Sequence, residues 1–536
     1  MANNSNNTYF IRLLKDFYSC GLDYANARTL IFQIIAYKVL SDRIISKAND
    51  YCAKSMAFFN YIQYKDDKAE EEFKSISIKD LGYYIKPTHL FCNIPNNKNY
   101  KDSIVLIITT IFKAIQNTID QSDIKHVGAN LFNCGYLERF TQEGESANNF
   151  NKLLFNLFNF ISRNTKQESL FNESEDFIGN IYELLAHSEG KRIQNIGGEF
   201  YTSKSLCDLM SNILLQEHND LKQQRNLKIY DPTCGSGGLL LELKNQIKKL
   251  NYGNVVKIQG QEVNPITYNL ARFNLLIHRA DLKVFDLFNG DTLFNPFENK
   301  KQEANCYDFV ISNPPFSVGT NRNDFNNLIN DERFKPCGTI TNKQNLDLLF
   351  VLHSLHYLKH DGVACILLFP GCFFREGKER DIREYLINNN LIDLVIALPV
   401  KLFTYTEIST NLVVFKKNKN NNNVLFINAV GIKTKQGKLN ILTSENIENI
   451  LTLIKKRENS AICKVLTNEE IKANNYNLSI YSNREEEEKE EKEEKEEKEL
   501  IDIESIEREI QLLHKQNEEN FNRFEELIKS LKDKNI

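Results

Sequence analysis

The chain has 536 residues, 41% of them hydrophobic and 26% charged, and a formal net charge of −4. It is long enough for two or three domains with full-sized cores. No charged-then-apolar opening and no apolar run near the roughly 18 residues of a membrane span is present, and the eleven scattered cysteines form no CxxC pair or His/Cys cluster, so neither a leader peptide, a membrane span, a disulfide framework nor a structural metal is indicated and a cytoplasmic protein is expected.

After a polar opening expected to fray (residues 1–8), residues 9–46 carry apolar side chains at helical spacing, such as Phe10, Leu13, Leu14 and Phe17, and residues 104–119 and 149–161 repeat the pattern. The polar stretches 64–76 and 95–101 read as loops. The first 165 residues are therefore expected to be all-helical. A helix is expected over 178–185, followed by paired Gly197 and Gly198, then Glu199, Phe200, Tyr201, Thr202 and Ser203, and a helix over 205–216. Paired glycines let a backbone approach a ligand. Thr202 or Ser203 is also placed to cap that helix.

From residue 227 short apolar runs alternate with amphipathic segments, which predicts an α/β domain with a mainly parallel sheet covered on both faces. Strands are predicted at 228–230, 255–259, 283–285, 307–312, 363–369, 391–397, 411–415 and 424–427. In such sheets ligands bind beyond the carboxyl ends of the strands. The segment after the first strand runs Asp231, Pro232, Thr233, Cys234, Gly235, Ser236, Gly237, Gly238. Its glycines allow close approach and the following helix offers free N–H donors. No Lys-Ser/Thr follows, which disfavours a triphosphate. Cys234 has no evident base and reads as a small residue filling a tight turn. After the second strand, Glu262 is placed to accept from both hydroxyls of a ribose, while Glu262 or Asn264 is equally placed to cap the helix 266–278. Asp291, in an Asn-Gly-Asp turn, could read an adenine amino group.

The fourth strand empties into Asn313, Pro314, Pro315 and Phe316. Asn313 offers an acceptor, the prolines keep carbonyls but have no N–H, and Phe316 offers a flat face. That set suits a planar ring carrying an exocyclic amino group. The same residues also make an ordinary turn.

Taken in order, residues 197–203 (GGEFYTS), 231–238 (DPTCGSGG), 260–265 (GQEVNP), 290–293 (GDTL) and 311–316 (ISNPPF) resemble the amino-methyltransferase subunit of type I restriction-modification systems, and the likeness runs over residues 8–481. Ser203 departs from the proline that commonly follows the threonine. The resemblance implies a Rossmann-like, S-adenosylmethionine-dependent methyltransferase domain (166–481) behind an N-terminal helical domain (1–165), and methylation of adenine N6 in double-stranded DNA. It implies that Asn313 to Phe316 form the catalytic turn. It also implies that Asp231, Thr233, Gly235, Ser236 and Gly237 shape the S-adenosyl-L-methionine loop, that Glu262 holds the ribose, that Asp291 contacts the adenine, and that Glu199, Phe200, Tyr201 and Thr202 lie by the methionine end. Cytosine N4, RNA, protein glutamine and an inactive scaffold stay open as alternatives.

Residues 484–499 hold eleven Glu against five Lys or Arg, a net of −6 that leaves the rest of the chain at +2. Residues 482–500 thus read as a charged linker. In 501–536, Ile503, Ile506, Ile510, Leu513, Asn517, Asn520, Phe524, Leu527 and Leu531 fall at alternating spacings of three and four, a coiled-coil heptad. The alternative to a partner helix is packing back on the body. The resemblance implies a separate specificity subunit as that partner, engaged through the coiled coil and the helical domain, with a second copy of the chain and a restriction subunit as candidate further members of the complex.

Overall fold

The computed structural model describes residues 2–52, 67–96, 103–122, 129–142, 144–164, 202–218, 221–277, 285–297, 306–402, 410–436 and 439–479. The helix expected at 178–185, the charged linker and the heptad segment lie outside these residues, as do Glu199, Phe200 and Tyr201.

Among the described residues five long helices build the N-terminal part: α1 (Ala2–Ser19), α2 (Tyr24–Cys52), α3 (Asp67–Leu81), α4 (Ile104–Asp120) and α5 (Glu145–Asn164). Two differ from the sequence expectation. Helix α1 begins at Ala2, within the stretch expected to fray. Helix α3 occupies much of the stretch expected as loop, and its buried Ala69, Phe73 and Ser77 lie four residues apart on one face. A stripe holding one small residue, one aromatic and one hydroxyl is too thin to register as an apolar face. The packing among these helices is strongly aromatic, with Phe140 stacked on Phe150 at 3.9 Å and Phe91 on Phe158 at 4.9 Å.

The remainder is a nine-stranded sheet in the order β11-β8-β6-β7-β5-β4-β1-β2-β3. Its strands are β1 (Asn226–Asp231), β2 (Val255–Glu262), β3 (Phe285–Asn289), β4 (Tyr307–Ser312), β5 (Leu358–Leu368), β6 (Ile392–Ala397), β7 (Asn411–Lys416), β8 (Asn423–Asn428) and β11 (Cys463–Thr467). A hairpin of β9 (Thr434–Gln436) and β10 (Leu439–Ile441) stands beside it. The eight predicted strands all occur, with the third displaced to Phe285–Asn289. β7 runs antiparallel to both β5 and β6, and β11 antiparallel to β8. Helices α6 (Lys204–Glu217), α7 (Gly238–Leu250), α8 (Pro265–Ile277), α9 (Asp347–Tyr357), α10 (Lys378–Asn388), α11 (Ser444–Lys456) and α12 (Asn468–Ala473) accompany the sheet.

The chain runs β1, β2, β3 toward one edge and then returns to lay β4 on the opposite side of β1. The carboxyl ends of β1 and β4 therefore diverge at a topological switch point, where open α/β sheets leave a crevice. Helix α8 belongs to two cores. Leu270, Phe273 and Leu276 pack with the N-terminal helices, whereas Ala271 and Leu275 pack with the sheet. Among the described residues no helix is long and apolar enough to cross a membrane.

Candidate active site

A cavity of about 400 Å³ opens at that crevice, lined by the loops after β1, β2, β3 and β4. Asp231 ends β1 fully buried. Its Oδ1 accepts from the Thr233 amide at 2.9 Å and from the Ser312 hydroxyl at 2.9 Å, while Oδ2 is buried without a hydrogen-bond partner among the described residues. Burial pushes this carboxyl up to about 7, against the lowering effect of those two donors. Thr233 Oγ1 and Ser312 Oγ lie 2.7 Å apart, so the ends of β1 and β4 are tied by one small polar triangle.

The glycine loop turns back on itself through positive φ at Gly235 (53°) and Gly237 (80°), conformations that a side chain resists. Gly237 stands at the N-cap of α7, and Asn274 on α8 donates to the Ser236 carbonyl at 2.9 Å. Cys234 is buried and its thiol is pushed well above the ordinary range by burial, with Asp231 and Glu262 adding to the effect. It stays protonated and fills the turn, as its sequence context suggests.

Glu262 closes β2, buried, with Oε2 accepting from the Gly235 amide at 3.0 Å and Oε1 from the Asn264 amide at 2.8 Å. The cap of α8 is Asn264, whose Oδ1 accepts from Ile266 at 2.8 Å, and both Glu262 and Asn264 line the cavity. Asp291 lines the same cavity and accepts from the amides of Leu293 and Phe294. Its loop is shaped by Gln261, fully buried, which donates to the carbonyls of Gly290 and Asn295 and accepts from Phe297. Gln261 was hidden in the sequence beside its charged neighbour.

On the β4 side, Asn313 and Pro315 reach the cavity, Pro314 is buried, and Phe316 is absent from the lining and packs beside Phe369 with ring centroids 6.5 Å apart. Asn313 Nδ2 donates to Thr202 Oγ1 at 2.9 Å, and Asn313 Oδ1 is buried without a partner among the described residues. Thr202 therefore faces Asn313, and Ser203 stands at the N-cap of α6 with no side-chain cap bond. The turn leaves through Ser317, a left-handed residue (φ 48°) whose amide donates to Asp347 Oδ1 at 3.1 Å. Thr202, Asp231, Thr233, Gly235, Ser236, Glu262, Asp291, Asn313 and Pro315 are thus brought around one cavity. Ser312, Gln261, Asn274 and Asp347 support them, and only Ser312, a polar residue inside an apolar strand, carried a sequence signal.

The profile of a family described as N-6 DNA Methylase matches residues 173–494. The methylase subunit of type I restriction enzyme MpnII from Mycoplasma pneumoniae is 33% identical over 467 residues, spanning 84% of each chain. The methylase subunit of type I restriction enzyme MjaVIII from Methanocaldococcus jannaschii is 32% identical over 341 residues, 60% of this chain and 55% of its own. Among solved structures, the type I restriction-modification system methyltransferase subunit from Streptococcus thermophilus is similar with a TM-score of 0.71 at 27% identity, covering 88% of this chain and 97% of that one.

Proposed function

The chain belongs to the N-6 DNA methylase family, among the methylase subunits of type I restriction enzymes, and on that premise we propose that its cavity binds S-adenosylmethionine and that Asn313 presents an adenine of double-stranded DNA to it. The observation that carries this reading is the Asn313 carboxamide, with Nδ2 engaged by Thr202 and a buried Oδ1 that has no partner among the described residues. A buried acceptor left unpaired costs about 1–3 kcal/mol. An amino hydrogen of the target base removes that cost.

The residues fit the cofactor. Asp231 has a buried Oδ2 without a partner among the described residues, which would receive a cationic amino group. Glu262, oriented by two backbone amides, would accept from the ribose hydroxyls, Asp291 would accept from the adenine amino group, and the loop of Thr233, Gly235, Ser236 and Gly237 would lie against the nucleoside. Glu199, Phe200 and Tyr201 would lie by the methionine end. When bound, S-adenosylmethionine supplies an electrophilic methyl group on its sulfonium. Asn313 Oδ1 and the Pro314 carbonyl would accept the two amino hydrogens, leaving the nitrogen lone pair directed at the cavity, and this positioning accounts for the rate. Phe316, outside the cavity lining and beside Phe369, would stack the base once it leaves the duplex and return about 1–3 kcal/mol of the unstacking cost.

We further propose that a separate specificity subunit chooses the sequence and engages the heptad of residues 501–536, that a second copy and a restriction subunit complete the complex, and that the chain works in the cytoplasm. Methyl transfer from labelled S-adenosylmethionine to unmethylated DNA, with and without the specificity subunit, tests the reading. Label in N6-methyladenine only with both proteins, lost in Asn313→Ala, supports it. Cofactor binding with label only in cytosine, RNA or protein would overturn the substrate, and no cofactor binding would leave a scaffold.

A further inference from the structure

Between the Asn313 turn and α9 lies a polar stretch, residues 317–346, that neither the motifs nor the proposed chemistry uses. Within it Arg333 is almost wholly enclosed, its side chain 3% exposed. A guanidinium has five N–H donors in a fixed fork, and here all five are engaged. Nε and one Nη bond the carboxylate of Asp331 at 2.9 and 2.7 Å. The remaining three reach the Thr292 carbonyl at 2.8 Å, the Leu293 carbonyl at 2.6 Å and His353 Nδ1 at 2.9 Å.

Those two carbonyls belong to the residues directly after Asp291. The loop that carries Asp291 is held from its amide side by the Asp291 carboxylate itself and from its carbonyl side by Arg333. Thr292 passes the restraint on, because its hydroxyl donates to the carbonyl of Pro232 in the glycine loop. His353 is fully buried and its pKa is depressed well below the ordinary value by burial and by Arg333. It is neutral, accepts from Arg333 at Nδ1, and so presents Nε2–H to the Tyr230 hydroxyl at 2.9 Å, beside the end of β1. His353 sits on α9, the helix that also carries Asp347, the acceptor for Ser317 at the exit of the Asn313 turn. A second cation joins the same two segments at the surface, where Arg322 lies 4.1 Å over the ring of Phe294 and pairs with Asp324 through Nε and Nη.

We propose that Arg333 is a positioning residue for the cofactor: it fixes the Asp291 loop against the segment that follows the Asn313 turn, so that the site for the adenosine half is set before the cofactor arrives. This rests on the cofactor reading above. Lysine keeps the charge but, with three donors and no planar fork, cannot serve all five of these acceptor atoms, which makes Arg333→Lys the informative variant and Arg333→Met the severe one.

The test uses the full chain. Titration calorimetry with S-adenosylmethionine should show the Kd of Arg333→Lys raised about tenfold, the effect of losing one or two charge-assisted hydrogen bonds that preorganise a site. Amide hydrogen exchange should speed up at residues 291–295, and the melting transition should stay cooperative. In methyl transfer the KM for S-adenosylmethionine should rise with kcat changed less than about threefold, since the loop acts on binding rather than on the reacting nitrogen. A Kd within twofold of wild type, exchange at 291–295 unaltered, or a fall in kcat at constant KM would overturn the assignment. Wild-type chain that binds no S-adenosylmethionine would overturn the cofactor reading and this assignment together, whereas normal binding by Arg333→Lys would overturn this assignment alone.

Discussion

Thr202 and Asn313, 111 residues apart in the chain, share a hydrogen bond of 2.9 Å in which the carboxamide nitrogen donates and the hydroxyl accepts. The bond selects one of two flips of the amide and thereby fixes the side of the oxygen, the only acceptor on that side chain, which on the proposed function is the side of the substrate. Thr202→Val should lower kcat about tenfold, the worth of one neutral hydrogen bond, with the affinity for S-adenosylmethionine little changed, and Thr202→Ser should restore most of the rate. A variant that loses affinity at unchanged kcat would instead give Thr202 to the cofactor.

Asp231 should make cofactor binding dependent on pH. Its carboxyl titrates at about 7 because burial disfavours the charge, so between its ordinary value near about 4 and that point the folded chain holds a proton that the unfolded chain has lost. Its contribution to stability is therefore full at low pH, declines as pH rises through that window, and is flat above it. A cationic amino group binds the ionised form. Affinity for S-adenosylmethionine should rise roughly eightfold from about pH 6 to about pH 7.5, with release of a proton. Calorimetry in buffers of different ionisation enthalpy reads that proton, and Asp231→Asn should abolish both effects; a flat profile in the wild type would refute the assignment.

Asp347 holds the exit of the Asn313 turn through the amide of Ser317, whose left-handed backbone costs about 1–2 kcal/mol and needs such a tether. Asp347→Asn retains an acceptor in the same place and should keep most of the activity. Asp347→Ala should lower kcat by about ten- to a hundredfold, the effect of a small misplacement at a reacting group, while the chain still binds S-adenosylmethionine. Equal activity in the two variants would show that the tether is idle.

Gly362 lies where β5 passes β4, and a Cβ there would come within 2.9 Å of the Tyr307 carbonyl and 3.0 Å of the Asp308 carbonyl. Backbone atoms of a central strand have nowhere to go. Gly362→Ala should destabilise the chain by about 1–3 kcal/mol, read as a lower midpoint in urea at unchanged slope. A wild-type midpoint would mean that β5 can shift sideways.

Much of this architecture was legible because strands β1 to β6 carry apolar runs with glycine, proline or an acid at or within two residues of their ends, and the candidate site residues sit at those ends. Asp231, Glu262, Asp291 and Asn313 stand out for that reason. What stayed hidden depends on partners distant in the chain. The antiparallel insertion of β7 between β5 and β6 is a pairing choice that no single strand encodes. Arg333 is one arginine in a polar stretch until Thr292, Leu293 and His353 are seen around it. The displaced third strand and the thin face of α3 show the opposite limit, where local pattern is present but too short or too polar to fix a boundary.

Helix α8 has a consequence for any attempt to shorten this protein. One side of it, through Leu270, Phe273 and Leu276, is finished only by the N-terminal helices, and a chain begun at the sheet would expose all three, at about 1.5–3 kcal/mol each. The same helix starts at Asn264, two residues beyond Glu262, and reaches the glycine loop through Asn274. A fragment lacking the helical block would lose more than solubility. It would lose the backing of the helix that braces the glycine-loop end of the cavity, so a minimal fragment of this chain has to include its first helices or redesign that face of α8.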